Sequence, residues 1–174
     1  MCGPCLANPL PVEWMEAWGC YRGSLERVLH AFKFKRHDFF ADPLAGLVEQ
    51  MLRQRGDVAF DAVVPVPMHR AKQRRRGYNQ AELLARALAR RIGVRCEPAL
   101  LTKTRDLDAQ SKLARDARAT NVRGAFLASA GVASRQILLV DDVCTTGETI
   151  RACAGELVRA GAARVAAAVV AKTE

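Results

Sequence analysis

Apolar residues recur along the chain with two different periods, and the points where one period gives way to the other outline its elements. Leu25, Val28, Leu29 and Phe32 fall on one face of a helix that Ser24 is placed to cap. A second helix is better marked. Asp42 stands at its cap, Pro43 in the first turn, and Gly56 at its end, with Leu44, Leu47, Val48, Met51 and Leu52 as the stripe. A third runs through NQAELLARALARRIG, where Asn79 and Glu82 have capping-box spacing and Gly93 closes the pattern. Elsewhere apolar residues continue without alternation, in FDAVVPVP from Phe60, in ILLV from Ile137 and in RVAAAVVA from Arg164. Such runs predict strands buried on both faces, the first stopped by Pro65 and Pro67.

The remaining segments are weaker. Short strands are expected over 99–103 and in GAFLA, and a helix over about 148–160 ending at Gly161. Residues 1–20 read as irregular, with prolines at 4, 9 and 11, and the stretch from Arg70 to Arg76 reads as a basic loop. The segment from Thr102 to Gly124 is polar and poorly periodic, which predicts a mobile loop with a helical turn. Strands alternating with helices predict an α/β fold, a mainly parallel central sheet flanked by helices. Ligands in such sheets bind beyond the carboxyl ends of the strands, so PVPMHR and DDVCTTGET share one rim.

Composition narrows the setting. At 174 residues the chain is most simply one domain with a core of its own. The 27 Lys and Arg against 18 Asp and Glu give a net charge of +9, which favours phosphorylated small molecules or nucleic acid as partners. A GC-rich genome accounts for the arginine excess equally well. No apolar run approaches the ~18 residues needed to span a bilayer, and the N-terminus lacks the layout of a secretory signal. Six cysteines without a disulfide-dense framework point to a reducing compartment, and the expected location is cytoplasmic.

The chemistry concentrates in ILLVDDVCTTGETI. Asp141 and Asp142 stand where the apolar run is expected to end, and Thr145 with Glu148 matches a capping box around Gly147. A capped helix without a ligand would explain the threonines but not the acids. A helix start rich in hydroxyls cradles phosphate, and paired carboxylates suit a diol or a magnesium shell. A ligand with both features is a ribose 5-phosphate. A receiver domain also has two Asp at a strand end, but it needs far more chain than the 32 residues that follow Asp142. A phosphate loop of the G-x-x-x-x-G-K type is absent.

ILLVDDVCTTGET closely resembles the phosphoribosyl-pyrophosphate (PRPP) signature of type I phosphoribosyltransferases. The resemblance implies that Asp141 and Asp142 bracket the ribose hydroxyls, and that Thr145, Thr146, Gly147 and Thr149 hold the 5-phosphate. Val143, Cys144 and Glu148 complete that segment, with Glu148 expected to turn away as the capping partner. AFKFKRH, RRRGYNQ and GAF extend the likeness to the ComF group over nearly the whole chain from Tyr21. It implies a type I fold over 21–174 with a small N-terminal hood, Lys33 and Lys35 lying in that hood, and a zinc-finger remnant over 1–20.

By the same resemblance, Val66, Pro67, Met68, His69 and Arg70 form a pyrophosphate loop, and the loop carrying Arg105, Gln110, Arg115 and Asn121 closes over PRPP. Arg105 and Arg115 join the two acids as catalytic candidates. The implied activity is Mg²⁺-dependent transfer of phosphoribose from PRPP to an unknown acceptor, in a protein associated with competence and DNA uptake. The alternative is a non-catalytic nucleotide sensor, with Arg74, Arg75 and Arg76 meeting single-stranded DNA or a competence helicase. Cys2 and Cys5 are half of a zinc knuckle, and homo-oligomerisation is a further expected association.

Overall fold

The computed structural model describes residues 9–34, 38–56, 59–104 and 124–173. Its main sheet has four strands, all parallel, in the order β1-β6-β5-β2. These are β1 (Met15–Cys20), β2 (Ala62–Pro65), β5 (Gln136–Cys144) and β6 (Arg164–Lys172). A separate antiparallel hairpin joins β3 (Leu101–Lys103) to β4 (Phe126–Ala128).

The apolar runs do what their continuity predicts. Ile137 and Leu139 bury into one face of the sheet, Leu138 and Val140 into the other, and all four have no exposure. Against the Leu138 face pack α1 (Gly23–Phe34), α2 (Ala41–Arg55) and α4 (Gln80–Ile92), through Leu29, Phe32, Val48, Leu52, Leu84 and Leu88. Against the Ile137 face lie the hairpin and α5 (Glu148–Arg159), through Leu101, Phe126, Ile150 and Leu157. Each such side chain contributes roughly 1.5–3 kcal/mol on burial.

The short basic stretch expected as a loop is a helix, α3 (Arg70–Arg76). It has no apolar stripe to announce it. The imidazole Nδ1 of His69 accepts the Ala71 N–H at its start, and Gly77, in the left-handed region, ends it. Residues 15–20 are not irregular either. Met15–Cys20 runs parallel to β6 as the sheet's edge, so the strand lies in the main fold and not in a segment apart from it. Just before it, Trp14 is buried beneath the Arg55 guanidinium, 4.4 Å from the ring centre.

Several caps fall elsewhere than expected. Ser24 lies inside α1, accepting from Arg27, and Asp42 lies in the first turn of α2, where it pairs with Arg91 at 2.6 Å. Asn79 does cap α4, through the Ala81 N–H, while Glu82 pairs with Arg86 and forms no box. Gly56 and Gly93 close their helices in the left-handed conformation, as their positions predict.

Candidate functional site

The site begins with a difference in length between two neighbouring strands. β2 pairs with β5 from Ala62–Ile137 to Pro65–Val140. The Val66 N–H still reaches the Val140 carbonyl, and the chain then turns away at Pro67, with the Val66 carbonyl taken by the Asn79 side chain instead of β5. β5 runs on for four more residues, Asp141 to Cys144, held only by β6. The acid pair therefore sits inside the strand, not after its end as expected, along an edge that β2 has left open.

Strand geometry sends the two carboxylates to opposite faces. Asp142 follows Val140 and meets α1, where the Lys33 ammonium stands 3.1 Å from Oδ2. Its Oδ1 accepts the Val143 N–H, and Oδ2, buried, has Lys33 as its polar neighbour. Asp141 follows Leu139 towards α5, is half-buried, and accepts the Asp142 N–H. Burial first, and the charge of Asp142 second, push the Asp141 carboxyl well above the usual carboxylate range. The Cys153 thiol on α5 is pushed up as well, by burial and then by Asp141, with Lys103 opposing.

Thr145, Thr146 and Gly147 then turn the chain into α5. The turn is tied at its start by Thr173, whose N–H donates to the Cys144 carbonyl at 3.0 Å. Gly147 is the N-cap, at φ 78°, and no side chain caps the helix. The expected capping box is thus absent, because Thr145 lies too early and Glu148 is the first helical residue. Glu148 is half-exposed and pairs with Arg151 at 3.6 Å instead of acting as the capping partner. Thr145, Thr146 and Thr149 are exposed, and Cys144 and Gly147 are buried. An uncapped helix start ringed with hydroxyls presents unsatisfied N–H groups and the positive end of its dipole.

The loop Val66–His69 stands beside this edge, pinned by the Asn79 side chain, whose Nδ2 donates to the Val66 carbonyl at 3.1 Å. A cavity of about 500 Å³ opens between this loop and the hairpin, lined among others by Pro67, Met68, His69, Arg70, Lys103 and Thr104. Lys103 and the Asn79 pin were not singled out from the sequence. Lys103 falls in a weak three-residue strand, and nothing in the pattern shows where that strand points. Arg74 and Arg75 are exposed on α3, and Arg76 is half-buried. Arg105, Gln110, Arg115 and Asn121 lie outside the described residues, as do Cys2, Cys5 and Lys35. The Thr104 N–H donates to the Ala125 carbonyl at 2.8 Å, which holds β3 and β4 together past their last pair.

Residues 40–174 match the model of the phosphoribosyl transferase domain, which is more than half of the chain. The chain belongs to that family. The DNA utilization protein YhgH of Escherichia coli (strain K12) is 34% identical over 168 residues, covering 94% of this chain and 74% of the relative. Competence protein F of Haemophilus influenzae is 30% identical over 156 residues, covering 86% and 68%. Both agree with the resemblance to the ComF group. Among solved structures, glutamine PRPP amidotransferase from B. subtilis, complexed with ADP and GMP, superposes with a TM-score of 0.55 at 20% identity. That match covers 81% of this chain and 30% of the amidotransferase, and it bears out the type I fold. Among the described residues, no helix is long and apolar enough to cross a membrane.

Proposed function

We propose that the open end of β5 binds PRPP and that the protein transfers its phosphoribosyl group to an acceptor, releasing pyrophosphate. Asp141 and Asp142 accept from the ribose hydroxyls, and the turn from Thr145 to Thr149 holds the 5-phosphate on the N–H groups that open α5. The diphosphate lies towards Val66–Arg70, where His69, Arg70 and Lys103 line the cavity. The observation that carries this reading is a pair of acids on an unpaired strand edge, directly ahead of an uncapped helix start.

The reaction breaks the C1–oxygen bond to the diphosphate and forms a bond from C1 to the acceptor, whose proton is released. Positive charge developing at C1 is met by the nearby carboxylates, and negative charge on the departing diphosphate by cationic side chains. Arg105 and Arg115, named from the resemblance, would join those cations. A magnesium ion suits this donor set only in part. Among the described residues no three His, Cys, Asp or Glu gather in a metal-sized cluster. Asp141 and Asp142 would face the ion where it accompanies the diphosphate, and it would supply charge neutralisation of the leaving group.

The acid pair is the direct test. Asp141→Asn with Asp142→Asn should abolish calorimetric PRPP binding, a loss of more than about a hundredfold, while circular dichroism stays that of the parent. Binding at parental affinity would remove the site from the acids. Pyrophosphate release with a panel of bases and amines identifies the acceptor class.

The names of the relatives suggest that this chemistry, or the bound nucleotide as a signal, serves DNA utilisation and competence. A second reading adds a single-stranded DNA contact, favoured by the exposure of Arg74 and Arg75 on α3. It expects affinity that falls steeply with salt, and a shallower slope once both are alanine. A salt response identical in parent and variant excludes α3 as the contact.

A further inference from the structure

We infer that Lys33 is the positioning residue of the acid pair, holding the Asp142 carboxylate aimed for a ribose hydroxyl while leaving it a lone pair with which to accept one. The inference rests on the PRPP reading and adds to it a residue from outside the signature segment.

Asp142 is only 6% exposed. Burying a carboxylate is costly unless a cation or hydrogen bonds compensate it. Filling every hydrogen-bonding position, on the other hand, would leave nothing for a ligand. The arrangement at Asp142 meets both conditions. Oδ1 accepts one bond, from the Val143 N–H at 2.8 Å. Oδ2 faces the Lys33 ammonium at 3.1 Å as an ion pair. Charge is compensated, and the carboxylate keeps lone pairs beyond those the lysine and the Val143 N–H take.

Lys33 is held for this task. Its neighbours Leu29 and Phe32 have no exposure, and the Tyr78 hydroxyl donates to the Phe32 carbonyl at the end of α1. The Phe32 and Tyr78 rings lie 6.3 Å apart. Tyr78 follows α3 directly, so one anchor joins the helix bearing the lysine to the chain that leaves the diphosphate side. The lysine side chain retains 23% exposure, so the pair lies near the surface and not in the middle of the core. A pair that served stability alone would have no need of an open acceptor, and buried ion pairs are poor stabilisers compared with apolar packing.

The test compares ligands that share the phosphate but not the sugar. Binding of PRPP, ribose 5-phosphate and inorganic phosphate is measured by calorimetry or ligand-observed NMR for the parent, Lys33→Met and Lys33→Arg. Lys33→Met should bind PRPP and ribose 5-phosphate about ten- to a hundredfold more weakly, with phosphate binding unchanged. Lys33→Arg should recover most of the loss. Equal weakening towards all three ligands would make Lys33 a support of the fold only, and undiminished ribose 5-phosphate binding would deny it any role. Should Lys33→Met fail to fold, Lys33→Gln, which keeps the reach without the charge, carries the same comparison. A parent that binds no PRPP overturns the proposed function itself, whereas a parent that binds it as Lys33→Met does overturns only the part given to the lysine.

Discussion

The two halves of β5 share one run of backbone and differ in what flanks them. From Ile137 to Val140 the strand lies between β2 and β6, with helices over both faces, and every side chain is apolar and fully buried. From Asp141 to Cys144 only β6 remains beside it, and the residues are two acids, a half-buried valine and a buried cysteine. The neighbour that leaves decides what the strand can carry. Where both edges are filled, a carboxylate would be stranded. Where β2 has turned away at Pro67, it can meet a lysine on one face and a ligand along the open edge. The same backbone that closes the core thus opens the site.

The largest effect should come from breaking the first half. Leu139→Ala removes a fully buried side chain between the sheet and α5. Such truncations cost about 2–5 kcal/mol. Urea unfolding should show that loss with little change in slope, since the surface exposed on unfolding barely alters. Loss of PRPP binding out of proportion to stability would mean that the two halves are not separable.

The contrast also marks what the sequence makes legible. The stripe Leu44, Val48, Met51 and Leu52, the continuous runs in β2, β5 and β6, and the glycines at 56 and 93 lie where periodicity and turn chemistry put them. These elements are made by apolar burial, which leaves a pattern. β1 is made otherwise. MEAWGC has little strand character of its own, and it forms because β6 has an edge to pair and Arg55 takes Glu16 at 2.7 Å. α3 has no apolar residue in contact with the core, and its start depends on a histidine ring acting as cap.

At the site the motif was readable and its geometry was not. DDVCTTGET marks the chemistry, but the extension of β5 through both acids follows from where β2 ends, and the Lys33 contact follows from the path of α1. Gly147 illustrates the limit. Its tight turn was readable, whereas its place as the cap, with Leu10 packed beside it, comes from residues far apart in the chain.

A smaller effect, opposite in sign, sharpens the comparison from the second half. In the unliganded protein Asp141 is held by burial and by its neighbour's charge in a state that disfavours ionisation. Its pKa in the folded chain therefore lies above that of the unfolded chain, so between the two values the folded state holds the proton more tightly. By linkage, this group's contribution to stability is full below the unfolded value and is lost as pH rises through the raised one. At pH above the unfolded value, burying this group therefore weighs against folding. Asp141→Asn removes that burden and keeps a similar shape, so its Tm at neutral pH should rise by a few degrees. The gain should shrink as the pH is lowered towards the unfolded value, where the parent carboxyl is protonated too. The same substitution should weaken PRPP binding. A variant that is less stable at neutral pH, or whose gain persists unchanged in acid, would mean that the acid belongs to the core as Leu139 does, and the line drawn across β5 at Val140 would go.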